Sequence, residues 1–277
     1  MRGRSLGALA WRIFVLAAVG GWLAFLGLPL VSLLVRVPPR ELWARLLAPA
    51  SLAALRLSFV TSVLATFAVI VLGLPAAYVL ATKRFPGKRV LEALVELPMV
   101  LPPTVAGVGL LLAFGRAGLA GRALGALGLS IPFTTLAVVL AQVFVASPFF
   151  VSAATAGLRA VDARYADAAA TLRATPGYTF RRVLLPLALP SVVAGAAMSW
   201  ARALGEFGAT IMFAGNLPGK TQTLPLAVYI GLQTDLQSAV ALSVILLILS
   251  FTILLGLRFA HRLPRTPWVP RVAGDGR

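Results

Sequence analysis

Six stretches of this chain contain no Asp, Glu, Lys or Arg and are built almost wholly from apolar residues: 13–35, 57–82, 97–115, 123–158, 183–201 and 236–257. A helix rising ~1.5 Å per residue needs about 20 such residues to cross a hydrocarbon layer about 30 Å thick. Every run meets that length. A soluble core has no need of such runs, and charged residues make up only 12% of the 277, about half the share in an ordinary soluble domain. The period-two alternation of a closed membrane barrel is absent. The runs predict an all-α, polytopic membrane protein with six transmembrane helices, forming one domain over residues 1–277.

The net charge of +17 suggests nucleic acid until its distribution is read. With the N-terminus on the cytoplasmic side, 17 Lys and Arg fall in the inner segments 1–12, 83–96, 159–182 and 258–277. The outer segments 36–56, 116–133 and 202–235 hold 8. This is the positive-inside bias of multi-pass proteins. It predicts a cell (inner or plasma) membrane protein with both termini cytoplasmic and no nucleic-acid partner, and it is compatible with attraction to anionic lipid at the inner face. The first run follows Arg2, Arg4 and Arg12, as a secretory leader would. It exceeds the 7–15 residues or so of a leader core, so a retained span is expected. Without cysteine there are no disulfides or thiolate metal sites.

Between the second and third runs, Pro86-Gly87 marks a turn. Leu91, Ala93, Leu94 and Leu97 then recur at helical spacing, with Glu92 and Glu96 on another face, which predicts a short interfacial helix. Pro98, Pro102 and Pro103 follow. They remove backbone donors, so the approach to the third span must bend. The fourth run is too long for one crossing. Its glycine- and proline-broken start belongs at the outer surface, leaving a span near 134–158. Segment 207–218 is too short to cross and reads as a re-entrant or outer-surface piece lining an exit.

Little here can perform chemistry. The one histidine, His261, lies in a basic tail; neither HExxH nor GxSxG occurs. The sequence GNLPGKTQT, residues 215–223, imitates a phosphate-binding loop. Gly215 and Gly219 are separated by three residues rather than four, and Ala214 stands where the first glycine belongs. An enzyme is not expected, nor a cofactor or metal. A carrier coupled to protons or sodium normally places ionisable groups inside its spans, and these runs have none. What remains is a conduit without an energy source of its own, which must be driven by a partner.

Residues 164–174, RYADAAATLRA, suggest what that partner grips. They are strong helix formers with a Tyr165, Ala168, Leu172 stripe, followed by the breaker Thr175-Pro176-Gly177. A stub helix on the inner face, tied to a span, suits docking; it also suits an ordinary amphipathic surface helix.

These residues resemble the EAA motif, E-A-A-x3-G-x9-I-x-L-P, of permease subunits of bacterial ABC importers. Asp167 stands for the glutamate, Ala168 and Ala169 match, Val183 stands for isoleucine, and Leu185 and Pro186 match. Arg173 occupies the family's glycine position. That departure puts the usual turn in doubt there and moves the expected break to Thr175-Pro176-Gly177. Segments 84–115 and 201–235 look like molybdate-type oxyanion permeases, and the likeness covers roughly residues 52–260.

The resemblance implies a type I ABC importer transmembrane fold with a cytoplasmic coupling loop at 159–186. Tyr165, Ala166, Asp167, Ala168, Ala169, Thr171, Leu172, Arg173 and Gly177 would form the ATPase-coupling surface. It implies two ATP-binding cassette ATPase subunits, a second permease copy making a homodimer, and an extracytoplasmic solute-binding protein. The implied cargo is an oxyanion, molybdate or tungstate, with sulfate or thiosulfate as the alternative. An ion-coupled secondary transporter is the reading outside the class. On the cargo path, Arg202, Gly205, Glu206 and Thr210 are candidates: Arg202 either meets the anion or pairs with Glu206 one turn on. Asn216, Thr221 and Thr223 offer further donors. Gly107, Gly109, Gly195, Ala196 and Ala197 are candidates for close helix packing.

Overall fold

The computed structural model describes residues 2–36 and 38–260; His261 and the basic tail lie outside them. Among the described residues there are thirteen α-helices: α1 Arg2–Arg36, α2 Pro39–Leu46, α3 Pro49–Thr82, α4 Lys88–Val100, α5 Pro103–Phe114, α6 Gly121–Ala126, α7 Thr135–Arg159, α8 Ala163–Thr171, α9 Pro176–Thr179, α10 Leu185–Leu204, α11 Gly208–Ala214, α12 Leu224–Thr234 and α13 Leu236–Ala260. A π-helical turn, Phe180–Leu184, joins α9 to α10, so Pro176–Leu204 runs on as a single 29-residue span. Proline recurs at helix starts, where its missing N–H would lack a partner anyway: Pro39, Pro49, Pro103 and Pro176 all sit there.

Five helices are long and apolar enough to cross a membrane: Trp11–Arg36, Pro49–Thr82, Thr135–Arg159, Pro176–Leu204 and Leu236–Gly256. The sixth expected span corresponds to α4 and α5, a pair bent as the prolines predicted. Residues 97–115 do not form one helix. Leu97–Val100 complete α4, and the chain then turns by 115° before α5. The cause is the Pro102-Pro103 pair, which keeps the preceding residue out of the helical region; Leu101 and Pro102 are both extended, at ψ 132° and 130°.

The scaffold is built on α7, gripped between α3 and α10. Val69, Ala77 and Leu80 of α3 meet Phe150, Val151, Ala154 and Leu158 of α7 and Leu184, Ala188 and Val192 near the start of α10. Small residues let the backbones approach. A Cβ on Gly157 would lie 2.3 Å from Ser191 Cβ, and one on Gly195 would lie 2.8 Å from Ala153 Cβ. Gly107 of α5 is pressed against Ala209 and Met212 in the same way, whereas Gly109 faces open space. Residues 207–218 are not an outer-surface strip. They contain α11, whose Ala209, Phe213 and Ala214 are buried against Ala106 and Leu110 of α5 and Ala137, Val138, Ala141 and Val145 of α7. The short apolar α12, wedged against α13, had no counterpart in the sequence reading.

Polar side chains gather at two opposite ends. At one, Arg45 of α2 clasps Asp235 at 2.6 Å, Gln237 at 2.6 Å and the hydroxyl of Ser238, closing the turn between α12 and α13. On this side Thr135 also donates to the carbonyl of Lys220 at 2.9 Å. At the other end Arg159 pairs with Glu92 and donates to the carbonyl of Leu80 at 3.0 Å, tying α7 to α4 and α3. The segments expected outside thus meet one another, and so do those expected inside.

Candidate coupling surface and polar seam

The helix α8 is defined at both ends by its own residues. Asp162 caps its start: one carboxylate oxygen accepts the Arg164 N–H at 2.9 Å, and the other receives the Arg164 guanidinium at 2.6 Å. These bonds, side chain first, hold the Asp162 carboxyl below its ordinary range. At the far end, the Ala174 N–H reaches back to the Ala169 carbonyl and the Arg173 N–H to that of Ala170, at 3.0 and 2.9 Å. This is the Schellman closure, which needs a left-handed residue at its pivot. That residue is Arg173, at φ +58°.

The doubt about the turn is therefore resolved in favour of the family's position. The break falls at Arg173, although a side chain in this conformation costs roughly 1–2 kcal/mol relative to the ordinary one. The helix stops at Thr171 rather than at 174. Thr175-Pro176-Gly177 starts α9 instead, with the Thr175 hydroxyl accepting the Tyr178 N–H at 3.3 Å. Gly177 has open space around it.

The faces of α8 divide sharply. Ala169 is buried and Ala166 packs on the scaffold core beside Val161 and Phe180. Tyr165, Ala168 and Leu172 point away, with Tyr165 55% and Leu172 82% exposed. Asp167 is also exposed, and its carbonyl takes the Thr171 hydroxyl at 3.0 Å. The mount is stiff. Arg159, the last residue of α7, is bound to α3 and α4, and Phe180 stacks edge-on against Tyr78 of α3 at 4.8 Å. The exposed face is thus carried on a mount tied to α7 on one side and, through α9 and the π-helical turn, to α10 on the other.

At the opposite end, α10 ends at Leu204 with Gly205 as its cap. Glu206 follows, 1% exposed. One of its oxygens accepts the Ala209 N–H at 2.8 Å, fastening the start of α11. The other lies 2.6 Å from the guanidinium of Arg202, a contact that is ionic rather than a well-directed hydrogen bond. An isolated buried carboxylate would be expensive, and these two partners make it tenable. Of the two sequence alternatives for Arg202, the pair with Glu206 forms. Thr210 is fully buried on α11, and its hydroxyl has no partner.

Sequence reasoning missed the strongest polar feature of the scaffold. Gln142 of α7 is 1% exposed, with both amide atoms unpartnered. Its signal was available: it is the lone amide side chain in the run 123–158. Around the same helices, Ser62 accepts the Trp200 indole N–H at 3.0 Å, Ser58 accepts the Leu224 N–H at 2.6 Å, and Ser199 donates to the Ala146 carbonyl at 3.1 Å. Thr155, Asn216 and Thr223 each bury an oxygen without a partner. This is a polar seam inside an apolar bundle. It holds no nucleophile–base pair, and among the described residues no group of His, Cys, Asp or Glu is arranged to hold a metal ion.

Comparison with known proteins agrees with this architecture. Residues 69–265 match the family described as binding-protein-dependent transport system inner membrane component. The chain is 47% identical over 241 residues to the molybdenum transport system permease protein ModB of Mycobacterium tuberculosis, covering 87% of this chain and 91% of that protein. It is 34% identical over 244 residues to the sulfate transport system permease protein CysT of Salmonella typhimurium, covering 85% and 88%. Among solved structures, it superposes with a TM-score of 0.74 on a chain of a bacterial ABC transporter involved in the import of the acidic polysaccharide alginate. That match has 15% identity and covers 95% of this chain and 99% of the other. At such identity the likeness concerns the fold, which is that of type I ABC importer transmembrane domains.

Proposed function

This chain belongs to the family of binding-protein-dependent transport system inner membrane components, and on that premise we propose that it is the permease subunit of an ATP-driven importer of an oxyanion, molybdate or tungstate. The observation that carries the mechanism is the outward apolar face of α8, Tyr165, Ala168 and Leu172, on a mount shared by α7 and α10. Two ATPase subunits seat these helices, one for each copy of a permease homodimer, and their closure on ATP swings the bundles between inward- and outward-open states. The end bearing α8 and α4 is cytoplasmic, as are both termini, and an extracytoplasmic binding protein delivers cargo to the end bearing α2 and α12. The whole chain serves as one permease unit; hydrolysis belongs to the partner, and the chain is not itself an enzyme.

The cargo reading draws on the 47% identity to the molybdenum permease against 34% to the sulfate one. Along the candidate path Arg202 is paired with Glu206, which also fastens the start of α11, so this pair beside Gly205, rather than a free guanidinium, lines the way. No tight site is needed midway, since selection lies with the binding protein and a deep trap would slow release.

The test is uptake of labelled molybdate into vesicles holding the permease, its ATPase and ATP, with the binding protein outside. Expected is uptake that requires all components, resists ionophores, and persists in excess sulfate. Uptake by the chain alone, collapsed by an ionophore, would point to a secondary carrier; full competition by sulfate would overturn the cargo.

A further inference from the structure

The end of the molecule that bears α8 carries a second feature besides that helix's exposed face. A cavity of about 540 Å³ opens where the α3–α4 loop folds back on α4, lined by Arg84, Lys88, Arg89 and Arg159 together with Phe85 and Glu92. Its only carboxylate, Glu92, is already engaged by Arg159. Arg84, Lys88 and Arg89 form no ion pair among the described residues; the Lys88 ammonium donates to the Lys83 carbonyl, at 2.9 Å. Four cations thus surround one neutralised anion, an arrangement that attracts a group with several negative oxygens.

The surroundings narrow what that group is attached to. One side of α4 is committed to the protein through Glu92, Val95 and the buried Pro98. The other side, Val90, Leu94 and Leu97, is a one-face apolar stripe left exposed, Val90 at 64% and Leu94 at 58%. A helix with Lys and Arg at one end and an uncovered apolar face lies naturally in the headgroup region of a bilayer. A free anion would use the cations and leave the stripe bare, whereas a phospholipid satisfies both, phosphate in the cavity and acyl chain along Val90 and Leu94.

We propose that this cavity is a binding site for the phosphate of an anionic phospholipid. Because Arg159 lines the cavity and also anchors α7 to α3 and α4, the bound lipid steadies the mount of the adjoining α8. The inference rests on the membrane-spanning reading and on the sidedness proposed above, and does not depend on which oxyanion is carried.

The experiment uses the full-length permease copurified with its ATPase, stripped of lipid in neutral detergent. Retention of phosphatidylglycerol and of phosphatidylcholine is measured by native mass spectrometry, with and without excess inorganic phosphate. Expected is selective retention of phosphatidylglycerol, undisturbed by phosphate. Each of Arg84→Gln, Lys88→Gln and Arg89→Gln should weaken it about fivefold, and the triple variant on the order of a hundredfold. The double variant Arg116→Gln/Arg122→Gln, at the opposite end, should retain lipid normally. The single variants keep the test valid if the triple one does not fold. Equal retention of both lipids, displacement by phosphate, equal loss from the opposite-end variant, or a triple variant that keeps its lipid but sheds the ATPase would each overturn the proposal.

Discussion

The helices α7 and α8 adjoin in the chain and face opposite ways. The first spends its apolar residues on its own fold: Phe150, Ala137, Ala141, Ala146 and Ala154 are all wholly buried. The second buries a single alanine and turns a tyrosine and a leucine toward whatever lies outside. Both are amphipathic or apolar enough to be helices, so composition does not separate them. What separates them is the partner: α7 finds α3 and α10 within the chain, and the outward face of α8 is left with none among the described residues. That outward face is the one the proposed ATPase contact would use.

If that contrast holds, the two helices should fail differently. The largest effect is expected from Ala168→Glu, which places bulk and charge on the exposed face. ATPase stimulation and uptake should vanish, while membrane insertion and Tm stay near wild type, as for a surface substitution; wild-type stimulation would break the contrast. Next comes Gly157→Leu in the α7–α10 seam, where a Cβ has no room. Overpacking there should cost about 1–3 kcal/mol or more, seen as lower yield and Tm, with activity falling only in proportion to folded protein. Glu206→Gln, which removes the counter-charge of Arg202 and weakens the cap of α11, should cost about 1–3 kcal/mol without altering ATPase docking.

Smaller effects sharpen the picture. Arg173→Gly relieves a left-handed side chain costing roughly 1–2 kcal/mol, offset by about 0.5–1 kcal/mol of glycine's extra chain entropy, so Tm should rise slightly, with coupling retained if the residue acts through the turn alone. Smallest is the pH response of the α2–α13 clasp. The Ser238 hydroxyl first, then Arg45, lower the Asp235 carboxyl from 3.8 to about 2. The folded-state value is depressed, so this contribution is fully present above pH 3.8 and is lost as the pH falls toward 2. A plot of Tm against pH for Asp235→Asn should lack that component.

The membrane helices were legible because a charge-free run is a local property, and five of the six spans end within three residues of where they were expected. The helix α8 was legible for the same reason: its stripe is written in order, although it breaks at Arg173, ahead of Thr175-Pro176-Gly177. Three things were not. The 115° turn between α4 and α5 was foreseen as a bend, but proline spacing carries no angle. The Arg45–Asp235 clasp joins residues 190 apart, and nothing local announces it. The turn at Arg173 looked doubtful because a preference for glycine was read as a requirement; the two Schellman bonds hold arginine there. At the candidate path, Arg202 and Glu206 were recognisable as a pair by their spacing, whereas burial of Thr210 and Gln142 depends on which helices close over them.

The brevity of α5 has a consequence for its ends. Twelve residues climb about 18 Å, roughly 12 Å short of the hydrocarbon thickness. Lipid tails offer no donors to the carbonyls and amides released on either side of such a stub. The carbonyls of Leu112 and Ala113 at its far end are instead met by the N–H groups of Leu119 and Ala120, at 3.1 and 2.8 Å, so the stub carries its own seal there and asks nothing of the tails.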